Sequence, residues 1–272
     1  MKSRRSTLAA LAAASAALVL SGCSAGQTSP SAAPSEEPVK GGEIVVASLP
    51  AMIDPSATTS RSDWMVAASV CEGLFANGAN MAVHDGLAED YTYDPATGEY
   101  RITIREGVAL HSGGTVTADD VVASLERYRA GSAGELFGEL TASITAVDER
   151  TVSIQTTSPT GAIPALLATP DTGAYIMSAK SIAAAGDAEL ATLDCTGPYR
   201  LDSFSIDDSA VISRFDEYSS REEEPDGGAG AKIAYADTIR FIPLNEDNVV
   251  NQLRTDQVDI APQFVSMDQF TV

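Results

Sequence analysis

Three cysteines and two histidines are the residues of this 272-residue chain with the sharpest chemistry, and their spacing excludes more than it permits. His84 and His111 stand 27 residues apart, which supplies a histidine-rich metal site or a histidine-based triad poorly. There is no G-x-S-x-G elbow, no H-E-x-x-H, no C-x-x-C and no phosphate-cradling glycine loop. Carboxylates are plentiful, 38 acidic against 17 basic residues, but no spacing singles out a pair for acid–base work. The expectation is a protein that is not an enzyme and carries no cofactor or metal. A formal charge of −21 also argues against a nucleic-acid partner, which needs basic patches to displace counterions. Such acidity reads most simply as solubility outside the cell.

The chain's start bears on where that is. Lys2, Arg4 and Arg5 precede Thr7 to Leu20, an Ala/Leu-rich stretch of 14 residues. That is too short to span a bilayer and has the form of a signal-peptide core. It ends in Leu20-Ser21-Gly22-Cys23, which resembles a lipobox. The resemblance implies that residues 1–22 are a lipoprotein signal peptide and that Cys23 carries a lipid. Cleavage there removes three positive charges and takes −21 to −24. General secretion is expected over the twin-arginine route, because Thr7 stands where that signal usually has Phe. Residues 23–40 then form a lipidated Cys and a Ser/Ala/Pro tether, able to stretch to roughly 60 Å. No other segment approaches 18 apolar residues, so the lipid is the one anchor expected.

Leu87 to Arg129 is the most strongly patterned stretch. Tyr100, Ile102 and Ile104 alternate with Arg101, Thr103 and Arg105, the period of a half-buried strand. Asp94-Pro95-Ala96-Thr97-Gly98 ahead of it supplies turn chemistry. After Gly107 and Gly113-Gly114, Thr117 and Asp120 are placed to cap a helix. Val121, Leu125 and Tyr128 mark that helix's inward face, widened by Val122. Elsewhere, Ile44 to Ala47 reads as a strand buried on both faces. Ser62 is expected to cap a helix running through Trp64, Val66, Ala67 and Val70. Further strands are expected at Ile144–Val147 and Val152–Gln155, Tyr175–Met177, Ala210–Phe215 and Thr238–Leu244. Short helices are expected at Ala162–Leu167, at Ser181–Ala185 and behind an Asn245 cap.

The same residues carry a resemblance. Arg105, Gly107, Val108, His111, Gly114, Ala118, Asp120, Val121, Val122 and Ser124 match the signature region of the family 5 extracellular solute-binding proteins, the peptide- and nickel-binding components of ABC importers. Leu110 and Ser112 depart from it. Gly41-Gly42 before an apolar strand, Ile53-Asp54-Pro55, Glu72-Gly73-Leu74 and Thr196-Gly197-Pro198-Tyr199 are similar to further family landmarks. Cys71 replaces the family's Tyr and Cys195 its Gly. Asp216 to Ser219 is a degraded form of another landmark, and Val258-Asp259-Ile260-Ala261 resembles the strand leading into the second lobe.

The resemblance implies an α/β fold, the periplasmic-binding-protein-like (type II, family 5) first lobe, with a mixed sheet and an inserted α/β subdomain. It implies residues 41–76 as the first part of that domain, 77–170 as the insertion and 171–272 as the second part. Relatives run to about twice this length, so the chain is expected to stop where the second lobe would begin. The implied function is a lipid-anchored substrate-binding protein on the outer face of the bacterial cytoplasmic membrane. It would capture oligopeptides, dipeptides or another small solute and deliver them to an ABC permease. The alternative is a truncated, non-transporting fragment acting as a sensor or partner-binding module. Candidate ligand contacts are the segment Ser48 to Ser56, Glu72, and the turn Thr196, Gly197, Pro198 and Tyr199. His111 is expected to be a structural hydrogen-bonder. With Cys23 lipidated, Cys71 and Cys195 are the remaining thiols in an oxidising compartment; they form either a disulfide or two buried free thiols.

Overall fold

The computed structural model describes residues 38–58, 60–168 and 173–262. The signal peptide, Cys23 and residues 23–37 of the tether lie outside the described residues. In chain order the first elements are β1 (Glu43–Ala47), α1 (Arg61–Val70), β2 (Glu72–Gly73), β3 (Phe75–Asn77), β4 (Val83–Asp85), β5 (Ala88–Asp94) and β6 (Glu99–Ile104). Next come α2 (Ala118–Ala130), α3 (Glu135–Leu140), β7 (Thr141–Ala146), β8 (Thr151–Thr156), α4 (Ile163–Ala168) and β9 (Tyr175–Ile176). The remainder is α5 (Ala179–Ala185), β10 (Tyr199–Ser205), β11 (Ser209–Arg214), β12 (Thr238–Ile242) and α6 (Val249–Arg254).

Two four-stranded sheets carry the described residues. The first has the order β1-β12-β11-β10, with β1 parallel to β12 and the other pairs antiparallel. Its strand β1 is buried on both faces because its side chains divide between two cores. Val46 packs with Trp64, Val66 and Val70 of α1, while Val45 and Ala47 pack with Val249 and Val258. The second sheet, β5-β6-β8-β7, is antiparallel throughout. Tyr100, Ile102 and Ile104 point inward from it against Val121, Leu125 and Tyr128 of α2, as their period-two and period-3.6 spacings require. This core also takes in Leu74, Phe75, Ala174 and Ile176, so the segment expected as an insertion shares its interior with residues on either side.

Helix α2 starts where expected. The Thr117 N–H and hydroxyl both donate to Asp120 Oδ2 at 2.8 Å, and Asp120 Oδ1 accepts from Ala179 N–H at 2.7 Å, tying α2 to the start of α5. Other boundaries differ from expectation. Helix α1 has Ser60, not Ser62, at its N-cap position. The reason is Asp63, whose carboxylate accepts from Ala51 N–H at 2.8 Å and from the Thr58 hydroxyl at 2.7 Å, fixing the preceding loop to the first turn. Helix α5 begins behind Ser178, whose Oγ accepts from Ser181 N–H at 3.1 Å. Helix α6 has Asn248 at its N-cap, because the Asn245 carbonyl is occupied in a turn by the N–H groups of Asn248 and Val249, at 3.1 and 2.8 Å. The stretch expected as a strand at Val258–Ala261 makes one parallel bridge, Ile260 to Val46, beside β1.

Candidate functional site

The junction behind α1 gathers most of the residues singled out above. The helix ends when Cys71 turns to extended backbone, φ −119° and ψ 160°, after its N–H donates to Ala67 O at 2.7 Å. Glu72 and Gly73 then pair antiparallel with Ile176 and Tyr175 of β9. Glu72 is therefore a strand residue rather than a helix-end acid, with its side chain on a fixed backbone. Cys71 and Cys195 are joined, their sulfurs 1.98 Å and their Cα atoms 4.9 Å apart.

The turn at Cys195–Tyr199 is held from two sides. Gly197 N–H donates to Val70 O at 2.8 Å. A Cβ on Gly197 would stand 2.5 Å from that carbonyl oxygen, so only glycine permits the approach. On the other side, His111 N–H donates to Cys195 O at 2.8 Å, and His111 Nε2 lies 3.0 Å from Gly197 O. Cys195 N–H reaches His111 Nδ1 at 3.4 Å, which assigns the neutral tautomer with its proton on Nε2. Burial pushes the His111 imidazole below its ordinary value, against smaller opposing effects of the Gly197 hydrogen bond and Asp194. Ser112, a departure from the family pattern, donates its N–H and hydroxyl to Asp194 at 2.9 and 2.7 Å.

What this scaffold presents is a buried carboxylate with defined partners. Glu72 is 5% exposed. Its Oε2 accepts from the Thr196 hydroxyl at 3.1 Å, and its Oε1 accepts from the Tyr218 hydroxyl at 2.9 Å. Lys232 Nζ lies 3.8 Å from the same Oε1. Burial first, then the Glu72 charge, raises the Tyr218 phenol well above its ordinary value, so it remains a donor. These groups border a cavity of about 200 Å³ lined by Glu72, Gly73, Phe75, Asn77, Tyr175 and Lys232, with smaller side chains from α4 behind them. Arg105 and Arg221 hold the loop that carries Tyr218 and Lys232. Arg105 donates twice to Ser219 O at 3.2 Å. Arg221 donates to Gly86 O and Ala88 O at 2.9 and 3.0 Å, and grips Glu223 in a bidentate pair that lowers that carboxyl to about 2.

The structure thus brings together Glu72, Thr196, Cys71 and Cys195. Gly197, Pro198 and Tyr199 are buried in the turn, and the Tyr199 hydroxyl donates to Ala236 O at 3.3 Å. The Ser48–Ser56 segment lies apart from Glu72's partners. Its Asp54 is fully buried, pairs with Arg127 and accepts the N–H groups of Ser56 and Leu190 at 3.1 and 3.2 Å. Asp54 and Ser56 line a separate cavity of about 540 Å³ with Glu126, Arg127, Ile182 and Asp187. Sequence reasoning missed Tyr218 and Lys232. Tyr218 stood within a landmark set aside as degraded. Lys232 gave one faint signal, being one of four lysines in an acidic chain. Among the described residues no group of three or more His, Cys, Asp or Glu is arranged to hold a metal ion, and no helix is long and apolar enough to cross a membrane.

The fold and this junction define a class. Residues 82–271 match the model of the bacterial extracellular solute-binding proteins, family 5, and the chain belongs to that family. Among its relatives is the probable peptide ABC transporter periplasmic-binding protein y4tO of Sinorhizobium fredii, 28% identical over 214 residues, which are 76% of this chain and 40% of that protein. Another is the glutathione-binding protein GsiB of Salmonella typhi, 29% identical over 80% of this chain and 41% of that protein. Among solved structures, the periplasmic binding protein AgaA of A. tumefaciens in complex with agropinic acid superposes with a TM-score of 0.68 at 24% identity, covering 80% of this chain and 43% of that one. The fold is the α/β fold of type II periplasmic binding proteins. The chain spans about two-fifths of the length of the curated relatives it matches.

Proposed function

We propose that this chain forms the first lobe of a substrate-binding protein serving an ABC importer, and that it captures oligopeptides or dipeptides outside the membrane and hands them to the permease. The observation that carries this reading is the cavity beside Cys71–Cys195, where a buried, hydrogen-bonded Glu72 and a partly exposed Lys232 meet apolar walls. Concave apolar surface with a few fixed polar groups is what a small-solute site needs. The peptide class is favoured by y4tO, described as a probable peptide transporter component, and by GsiB, whose ligand glutathione is itself a tripeptide. Glu72 and Thr196 are read as walls of the solute site; Gly197, Pro198 and Tyr199 form the turn that holds Thr196 in place.

Lipid on Cys23 would hold the protein at the outer face of the cytoplasmic membrane, and residues 23–40 would give it reach. Native mass spectrometry of the protein purified from its own cells tests the solute reading: bound peptides should be carried through purification and released on denaturation. Fractionation tests the anchor. The wild type should follow the membrane and a Cys23→Ala variant should not. Co-purification of no small molecule, together with no binding of added peptides, would sink the peptide reading.

A further inference from the structure

We propose that Lys232 is the docking point for a carboxylate on the bound solute, with Glu72 and Tyr218 holding the ammonium in place. The inference rests on reading the cavity as a solute subsite. An ammonium has three donors, and among the described residues Lys232 Nζ has one ionic partner, Glu72, at 3.8 Å. Its side chain is 31% exposed while that of Glu72 is 5% exposed, so the cation and not the anion faces the cavity. Glu72 already accepts from Tyr218 and Thr196. A solute amine would have to displace a lysine that is tethered beside it.

The local charge balance points the same way. Glu223 neutralises Arg221 through two hydrogen bonds. Arg105 donates to the Ser219 carbonyl and has no carboxylate partner among the described residues. Lys232 and Arg105 together therefore outweigh Glu72 by one positive charge, in a chain whose formal charge is −21. Apolar walls from Phe75, Leu167 and Ala174 concentrate the field of such a surplus. At about 200 Å³ the cavity is smaller than a pocket of roughly 300–1,000 Å³ that swallows a whole ligand. It suits one end group. A peptide's C-terminal carboxylate and the carboxylate of a non-peptide acid share this chemistry.

The test uses the intact protein purified from its own cells and stripped of bound solute, with three probes. These are a pool of di- to pentapeptides with free C termini, the same pool amidated, and a set of small non-peptide carboxylic acids. The wild type should hold free-acid peptides about tenfold or more tighter than amides, a difference of about 1.4 kcal/mol. Lys232→Met and Lys232→Gln should flatten that preference, and Lys232→Arg should restore most of it. Equal binding of acids and amides by the wild type overturns the proposal. So does a preference that survives both neutral variants. If only the non-peptide acids bind, and need Lys232, the carboxylate contact stands and the peptide reading falls. If none of the probes binds the wild type, both fall together.

Discussion

The Thr196 hydroxyl donates to Glu72 Oε2 at 3.1 Å, one residue along both strands from the Cys71–Cys195 link. Two neighbouring pairs, each 124 residues apart in sequence, thus fix one junction. The covalent pair holds the backbones and the polar pair aims the carboxylate.

Breaking the covalent pair should loosen the whole chain. Closing a loop of this length contributes about 5 kcal/mol in the chain-entropy account. Cys71→Ala/Cys195→Ala, or the wild type with reductant, should melt well below the oxidised protein in a circular-dichroism scan. A melting temperature insensitive to reductant would show that the junction is held by other contacts.

Gly197→Ala should reproduce part of that damage without touching sulfur. The added Cβ would sit 2.5 Å from Val70 O, which is backbone and cannot swing aside. We expect a loss of about 2 kcal/mol or more, of the kind set by forced backbone strain, and free thiols detectable by alkylation. A fully oxidised, undiminished variant would contradict the tight turn.

Asp54 and Arg127 form the most deeply buried ion pair described, with Asp54 fully enclosed. Arg127→Met should cost about 3–5 kcal/mol, because it strands a buried carboxylate. Adding Asp54→Asn should recover a good part of the loss, since the amide oxygen still accepts the N–H groups of Ser56 and Leu190. Urea unfolding reads both values; a double variant as weak as the single one would refute the charge argument.

His111 gives the fold a dependence on pH. Burial depresses its folded value below the ordinary one, so the unfolded chain takes up a proton first as pH falls. Its contribution is therefore full above about pH 7 and declines as pH drops through the unfolded value near 6.5. Once the folded imidazole also protonates, the decline stops. Unfolding free energies at several values between about pH 7.5 and 5 should fall less steeply for His111→Gln than for the wild type. Parallel curves would remove His111 from the account.

Tyr218→Phe should leave Glu72 Oε1 without its hydroxyl donor and cost about 1.5–3 kcal/mol, the range for hydrogen bonds to charged groups. Chemical denaturation at neutral pH measures it, and an unchanged midpoint would mean that water replaces the phenol.

Much of this was legible in the sequence because local patterns carry it. The alternation of Tyr100, Ile102 and Ile104, the Thr117–Asp120 cap and the two-sided burial of β1 follow from period and side-chain type alone. The missed helix starts have one cause: Asp63 and the Asn245 carbonyl are engaged by contacts that no propensity encodes. The site was legible only where it coincided with family landmarks, as at Glu72 and Thr196. Lys232 reaches Glu72 across 160 residues from a Gly/Ala-rich loop with no periodicity, so nothing local announces it.

The pairing of β1 with β12 sets an order of events during synthesis. Glu43 lies opposite Thr238 and Ala47 opposite Ile242, so the strand made first has its hydrogen-bonding partner made almost last. Until about two hundred residues have followed it, Ile44 to Ala47 is an apolar edge with no sheet to join. Such long-range closure is slow and exposes sticky surface while it is pending. A chain that crosses a membrane unfolded and N-terminus first must therefore keep this segment shielded until its far end arrives.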